Sequence, residues 1–132
     1  MIGLDTNVLV RYIAQDDKQQ SLLASNLIES KCSIENPAFI NEITLCELVW
    51  VLKRAYRYDK SVILLVLKKL FKIDEIYISS HAEAVKAYHS YEIGNADFSD
   101  YFIAEINKKF GCEFTFSFDK KACQSDSFKL LD

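Results

Sequence analysis

Met1-Ile2-Gly3-Leu4-Asp5-Thr6-Asn7-Val8-Leu9-Val10 is the stretch whose reading decides the fold of this chain. A very short apolar run ends in an aspartate, a Thr-Asn pair follows, and a new apolar-periodic stretch begins. This reads as strand, carboxylate, helix. In parallel α/β folds ligands bind outside the C-terminal strand ends, so Asp5, one residue past the strand, is a candidate metal ligand. Capping of the first helix is the plain alternative.

Working outward, strands and helices alternate. The first helix covers Thr6 to Ala14. Asp16-Asp17 opens a second, Lys18 to Ser30, with Leu22, Leu23, Leu27 and Ile28 expected on one apolar face. Pro37 breaks the chain before a short strand, Ala38-Phe39-Ile40. A long helix from Asn41 to Tyr56 and another from Asp59 follow, then a strand from Glu75 to Ile78. Ser79 or Ser80 caps a helix to Tyr91. Asp97 begins a helix that stops at Lys108-Lys109-Phe110-Gly111, with basic residues in the last turn and a glycine beyond it. Phe114 to Phe118 alternates with period two and reads as a strand ending at Asp119, and Phe128 to Leu131 as a last strand. The order predicts an α/β domain on a mainly parallel sheet of four or five strands, covered by helices on both sides.

Composition agrees with one domain spanning residues 1–132: half the residues are apolar, enough for a core without staples. A single proline and three glycines imply few long loops. No leader peptide and no membrane span are expected. Cys32, Cys46, Cys112 and Cys123 lack CxxC spacing and read as reduced thiols of a cytoplasmic protein. The two histidines, His81 and His89, are remote from any cysteine pair, which argues against zinc. A net charge of −3 argues against generic binding to a phosphate backbone. It leaves open a nucleic-acid enzyme whose acids hold cations, because a bound metal inverts the local field.

The acids carry the chemistry. Asp5 and Asp119 lie just past strand ends, and Asp97 and Asp100 share the face of a helix start. Glu47 is the only charged residue in Ile43 to Leu52, an apolar setting that is expensive for a carboxylate unless paired or metal-bound. Taken singly, Asp97 and Asp100 read as a capping box and Asp119 as a cap, whereas Asp5 and Glu47 read as functional. Taken together, acids at strand ends and helix starts converge on one sheet edge. Hard oxygen donors without His or Cys select Mg²⁺ or Mn²⁺, which suits phosphoryl chemistry.

At Leu4 to Tyr12, Asn41 to Leu52, Ala96 to Ala104 and Thr115 to Lys120, the chain resembles the PIN-domain ribonucleases, most closely the VapC-type toxins of type II toxin–antitoxin systems. The order and spacing of these motifs span nearly the whole chain. The resemblance implies a three-layer α/β/α sandwich and Mg²⁺- or Mn²⁺-dependent endoribonuclease activity. It carries the family's acidic quartet onto Asp5, Glu47, Asp100 and Asp119 as catalytic and metal-binding residues. Asp97 is then an accessory acid, Thr6, Asn7 and Ser117 orient carboxylates, and Arg11 lies near the site. Ser117 stands where the family commonly has threonine before Phe-Asp, so a hydroxyl is kept. The resemblance also implies an RNA substrate, a cognate antitoxin whose tail crosses the acidic site, and a homodimer. Alternatives are a housekeeping RNA-processing nuclease and a PIN-like binding module that has lost catalysis. A dehalogenase-type phosphohydrolase is disfavoured, because it needs a second aspartate where this chain has Asn7.

Overall fold

The computed structural model describes all 132 residues. Its elements fall into two compact units, Met1–Ser79 and Ser80–Asp132.

The first unit is built from β1 (Ile2–Gly3), α1 (Thr6–Ala14), α2 (Lys18–Asn26), β2 (Ala38–Ile40), α3 (Glu42–Arg54), α4 (Lys60–Leu70) and β3 (Ile76–Ile78). Its three strands form a parallel sheet in the order β1-β2-β3, with Ile2 opposite Ala38 and Ala38 opposite Ile76. Two helices return the chain between successive strands, as parallel pairing requires. The strands are short, and hydrogen bonds beyond their ends extend the pairing: Leu4 N donates to Phe39 O and Ser79 N to Ile40 O. Side-chain caps start the helices where the sequence offers them, with Asp17 accepting from Gln20 N and Asn41 from Thr44 N. The core is Leu9, Ile28, Ala38, Ile40, Leu45, Leu48, Leu52, Ile63 and Leu67, all essentially inaccessible to water.

The second unit comprises α5 (His81–Ile93), α6 (Phe98–Lys109), β4 (Thr115–Ser117) and β5 (Phe128–Leu130). β4 and β5 pair in parallel, Thr115 opposite Phe128, joined by a chain that includes a 3₁₀ turn at Ala122–Gln124. Ala84, Ala87, Tyr91, Phe98 and Phe102 form its core, with the Phe98 ring edge-on to Tyr91 and tilted against Phe102. Gly94 ends α5 under Tyr101: a Cβ there would collide with the Tyr101 hydroxyl and lie 2.8 Å from its ring carbon. That hydroxyl accepts Ala96 N–H and ties the interhelix turn to α6.

The α/β class and the parallel pairing are as expected, and five strands are present. Their ladders are divided, three strands in one sheet and two in another. The expected apolar face of α2 is corrected. Leu22 and Leu23 are exposed, and Ser21, Ala24 and Ile28 face inward. Small Ser21 and Ala24 let α2 lie close to α1, so proximity of the backbones, rather than leucine bulk, chose the buried side. The last turn, Leu27–Lys31, widens to a π-helix. No helix is long and apolar enough to cross a membrane, and all four cysteines are free thiols.

Candidate active site

In the first unit the site begins with one threonine. Thr6 is the first residue of α1 and is buried. Its backbone N–H donates to Asp5 Oδ1 at 2.9 Å, and its hydroxyl donates to Glu47 Oε1 at 2.9 Å. Asp5, at the C-terminal end of β1, and Glu47, two turns into α3, are thus tied to a single residue. The capping and functional readings of Asp5 are compatible, because the cap uses one of its two oxygens. Glu47 is solvent-exposed and not enclosed by its apolar neighbours: the helix turns Leu45, Leu48 and Val49 inward and Glu47 outward.

The same sheet edge holds an acid that the sequence reading passed over. Glu42 opens α3 just past β2, and its Oε1 accepts the hydroxyl of Ser79, just past β3, at 2.7 Å. Its signal was the one that singled out Asp5, a carboxylate at the end of a parallel strand. Burial, with Glu42 adding to it, pushes the neighbouring Cys46 thiol up to about 11. At neutral pH the free Cys46 thiol is therefore protonated, which disfavours it as a nucleophile.

Arg11 is engaged in a network of its own. Its guanidinium donates to Gln20 Oε1, to both Asp16 oxygens and to the Tyr56 hydroxyl, which itself donates to Asp16 at 2.7 Å. Asn7 lines, with Val8, Arg11, Gln20, Leu23, Ala24 and Leu27, a groove of about 290 Å³ between α1 and α2.

In the second unit Asp97 and Asp100 form the capping box, Asp100 Oδ2 accepting Asp97 N–H at 3.1 Å. Asp119 follows β4 and caps the 3₁₀ turn: its Oδ1 accepts Lys121 N–H at 2.9 Å and Ala122 N–H at 3.4 Å. Ser117 supports it, its hydroxyl accepting Asp119 N–H at 2.9 Å. Partial burial raises the Asp100 carboxyl above its ordinary value. The negative charges of Asp119 and Asp97 push the same way, against the lowering effect of the Asp97 N–H bond. The three acids are therefore electrostatic neighbours. His81 and His89 are exposed.

A common pattern holds across the quartet. In Asp5, Glu47, Asp100 and Asp119, one oxygen takes the hydrogen bonds that orient the group, and the other takes none from the protein. No group of three or more His, Cys, Asp or Glu side chains is placed to hold a metal ion. Carboxylate oxygens such as these, with the charges of Asp97 and Asp119 pressing on Asp100, are the donor chemistry that suits a hard divalent cation.

The chain matches the PIN domain family over residues 2–126, a span that takes in most of each unit and every acid named above. It belongs to that family, whose members are generally nucleases. No curated protein matches it significantly.

Proposed function

We propose that the chain is a single PIN domain acting as a divalent-metal-dependent endoribonuclease, with Asp5, Glu47, Asp100 and Asp119 as its acidic quartet. Family membership supports nuclease chemistry. The observation that carries the assignment of residues is the Thr6 link, which holds Asp5 and Glu47 with one oxygen of each carboxylate fixed. When bound, Mg²⁺ or Mn²⁺ supplies the Lewis acidity that makes a water nucleophilic near neutral pH and neutralises phosphate charge.

Asp5 and Asp100 are the direct ligands in this reading, and Glu47 and Asp119 complete the donor set or orient the attacking water. Attack at phosphorus with loss of the 3′-oxygen leaves a 5′-phosphate and a 3′-hydroxyl. The Asp97 N–H fixes the Asp100 carboxylate, Thr6 fixes those of Asp5 and Glu47, and Ser117 fixes the backbone of Asp119. Arg11, held by Asp16, Gln20 and Tyr56, joins the last turn of α1 to the start of α2.

The resemblance to VapC-type toxins extends the proposal to a toxin role, a cognate antitoxin and a homodimer. Purified chain is expected to cleave RNA in Mg²⁺ and to lose that activity in EDTA and in Asp5→Asn. Wild-type cleavage by Asp5→Asn would sink the assignment. Growth arrest on expression, relieved by the product of a neighbouring reading frame, tests the toxin role.

A further inference from the structure

The solvent-facing stripe of α3 carries more than Glu47. Ile43, Glu47, Trp50 and Arg54 recur at helical spacing on one face. Trp50 is 57% exposed although it sits in the most apolar segment of the chain. Its neighbours Leu48, Val49 and Leu52 fill the core, so the indole was not needed there. The Arg54 guanidinium lies over the indole, 5.2 Å from the ring centroid. Lys53 and Arg57, both exposed, add positive charge at the same helix end. At 1.5 Å rise per residue, Trp50 stands about 4.5 Å and Arg54 about 10.5 Å along the axis from Glu47.

We infer that Trp50 and Arg54 form a base-stacking subsite for single-stranded RNA next to the catalytic centre. Trp50 takes a base on its exposed face, and Arg54 takes the adjoining phosphate. The inference rests on the nuclease reading for the role of Glu47. Aromatic rings that accept any base, set beside cations that track the backbone, are how single strands are held without sequence readout. Charge decides the occupant. Lys53, Arg54 and Arg57 gather positive charge at one end of this face. A polyanionic strand complements them. The chain is acidic as a whole, with a net charge of −3, so a basic, aromatic stripe beside Glu47 directs the strand where the surface at large does not.

Trp50 is the sole tryptophan, so its emission reports on the subsite directly. Short oligouridylate added in EDTA, with binding followed independently by anisotropy of a labelled strand, is expected to quench Trp50 saturably. Trp50→Ala should weaken binding on the order of tenfold, Trp50→Phe should keep most of it, and Arg54→Ala should weaken it and flatten its salt dependence. The proposal is overturned by absence of binding, by binding that leaves Trp50 emission unchanged, or by full affinity in Trp50→Ala. It is equally overturned if light scattering shows a dimer that Trp50→Ala dissociates while RNA affinity persists. Cleavage in Mg²⁺ is read separately. A chain that cuts RNA, loses cutting in Asp5→Asn and shows no quench keeps the nuclease and loses the subsite. A chain that shows the quench but cuts nothing keeps the subsite and loses the nuclease.

Discussion

Thr6 is the residue on which the Asp5–Glu47 pair turns, because it is buried and donates to two carboxylates at once. Thr6→Val keeps shape and the backbone bond to Asp5 but removes the hydroxyl from Glu47. Stability should fall by about 1 kcal/mol, the ordinary net worth of such a bond. RNA cleavage should fall about 10- to 100-fold through weaker metal affinity, seen as a higher Mg²⁺ concentration for half-maximal rate. Asp100 makes the opposite prediction. Burial and the charges of Asp119 and Asp97 raise its carboxyl, so ionised Asp100 is disfavoured in the folded state. Asp100→Asn still accepts Asp97 N–H and removes the charge. It should be inactive yet melt at or above the wild-type temperature; a lower melting temperature in metal-free buffer contradicts the repulsion.

At the scale of elements, two junctions carry testable loads. Gly94 between α5 and α6 has ordinary negative φ, so its small size and not its backbone freedom is what the site uses. Gly94→Ala pushes the Tyr101 hydroxyl off Ala96 N–H and should cost about 1–3 kcal/mol as overpacking, measured by urea denaturation. The Arg11, Asp16 and Tyr56 network joins α1 to the end of α3. The Tyr56 hydroxyl bond, with Arg11 beside it, holds the Asp16 carboxyl below its ordinary value. A depressed carboxylate contributes stability that is present above its unfolded pKa and lost as pH falls through its folded pKa. Asp16→Asn should therefore lose less stability than wild type on acidification below about pH 4, in denaturant titrations across that range.

For the molecule as a whole, the proposed metal site predicts that cation binding and folding are linked. A cation held by the folded quartet and not by the unfolded chain stabilises by about 2.7 kcal/mol at 100 times its Kd. Mg²⁺ or Mn²⁺ should raise the melting temperature, EDTA should reverse the rise, and Asp5→Asn should show none of it. This readout is independent of cleavage. A melting temperature indifferent to both ions contradicts the metal site even if RNA is cut.

Most elements were legible because their signals are local: Asp17, Asn41 and Asp97 announce helices through caps that involve the next three residues, and Ala38-Phe39-Ile40 is bounded by Pro37 and the Asn41 cap. The acids at strand ends were legible for the same reason. Three things required tertiary structure. Glu47 lies on the outward face of α3, because which side of a largely apolar helix is covered depends on what packs there. The buried side of α2 is Ser21 and Ala24, chosen by close approach to α1 over the pull of Leu22 and Leu23. Trp50 is left in water beside Arg54. Periodicity states which residues share a face; only the packing of one element on another decides which face meets solvent, and that choice separates a core tryptophan from one able to stack on a base.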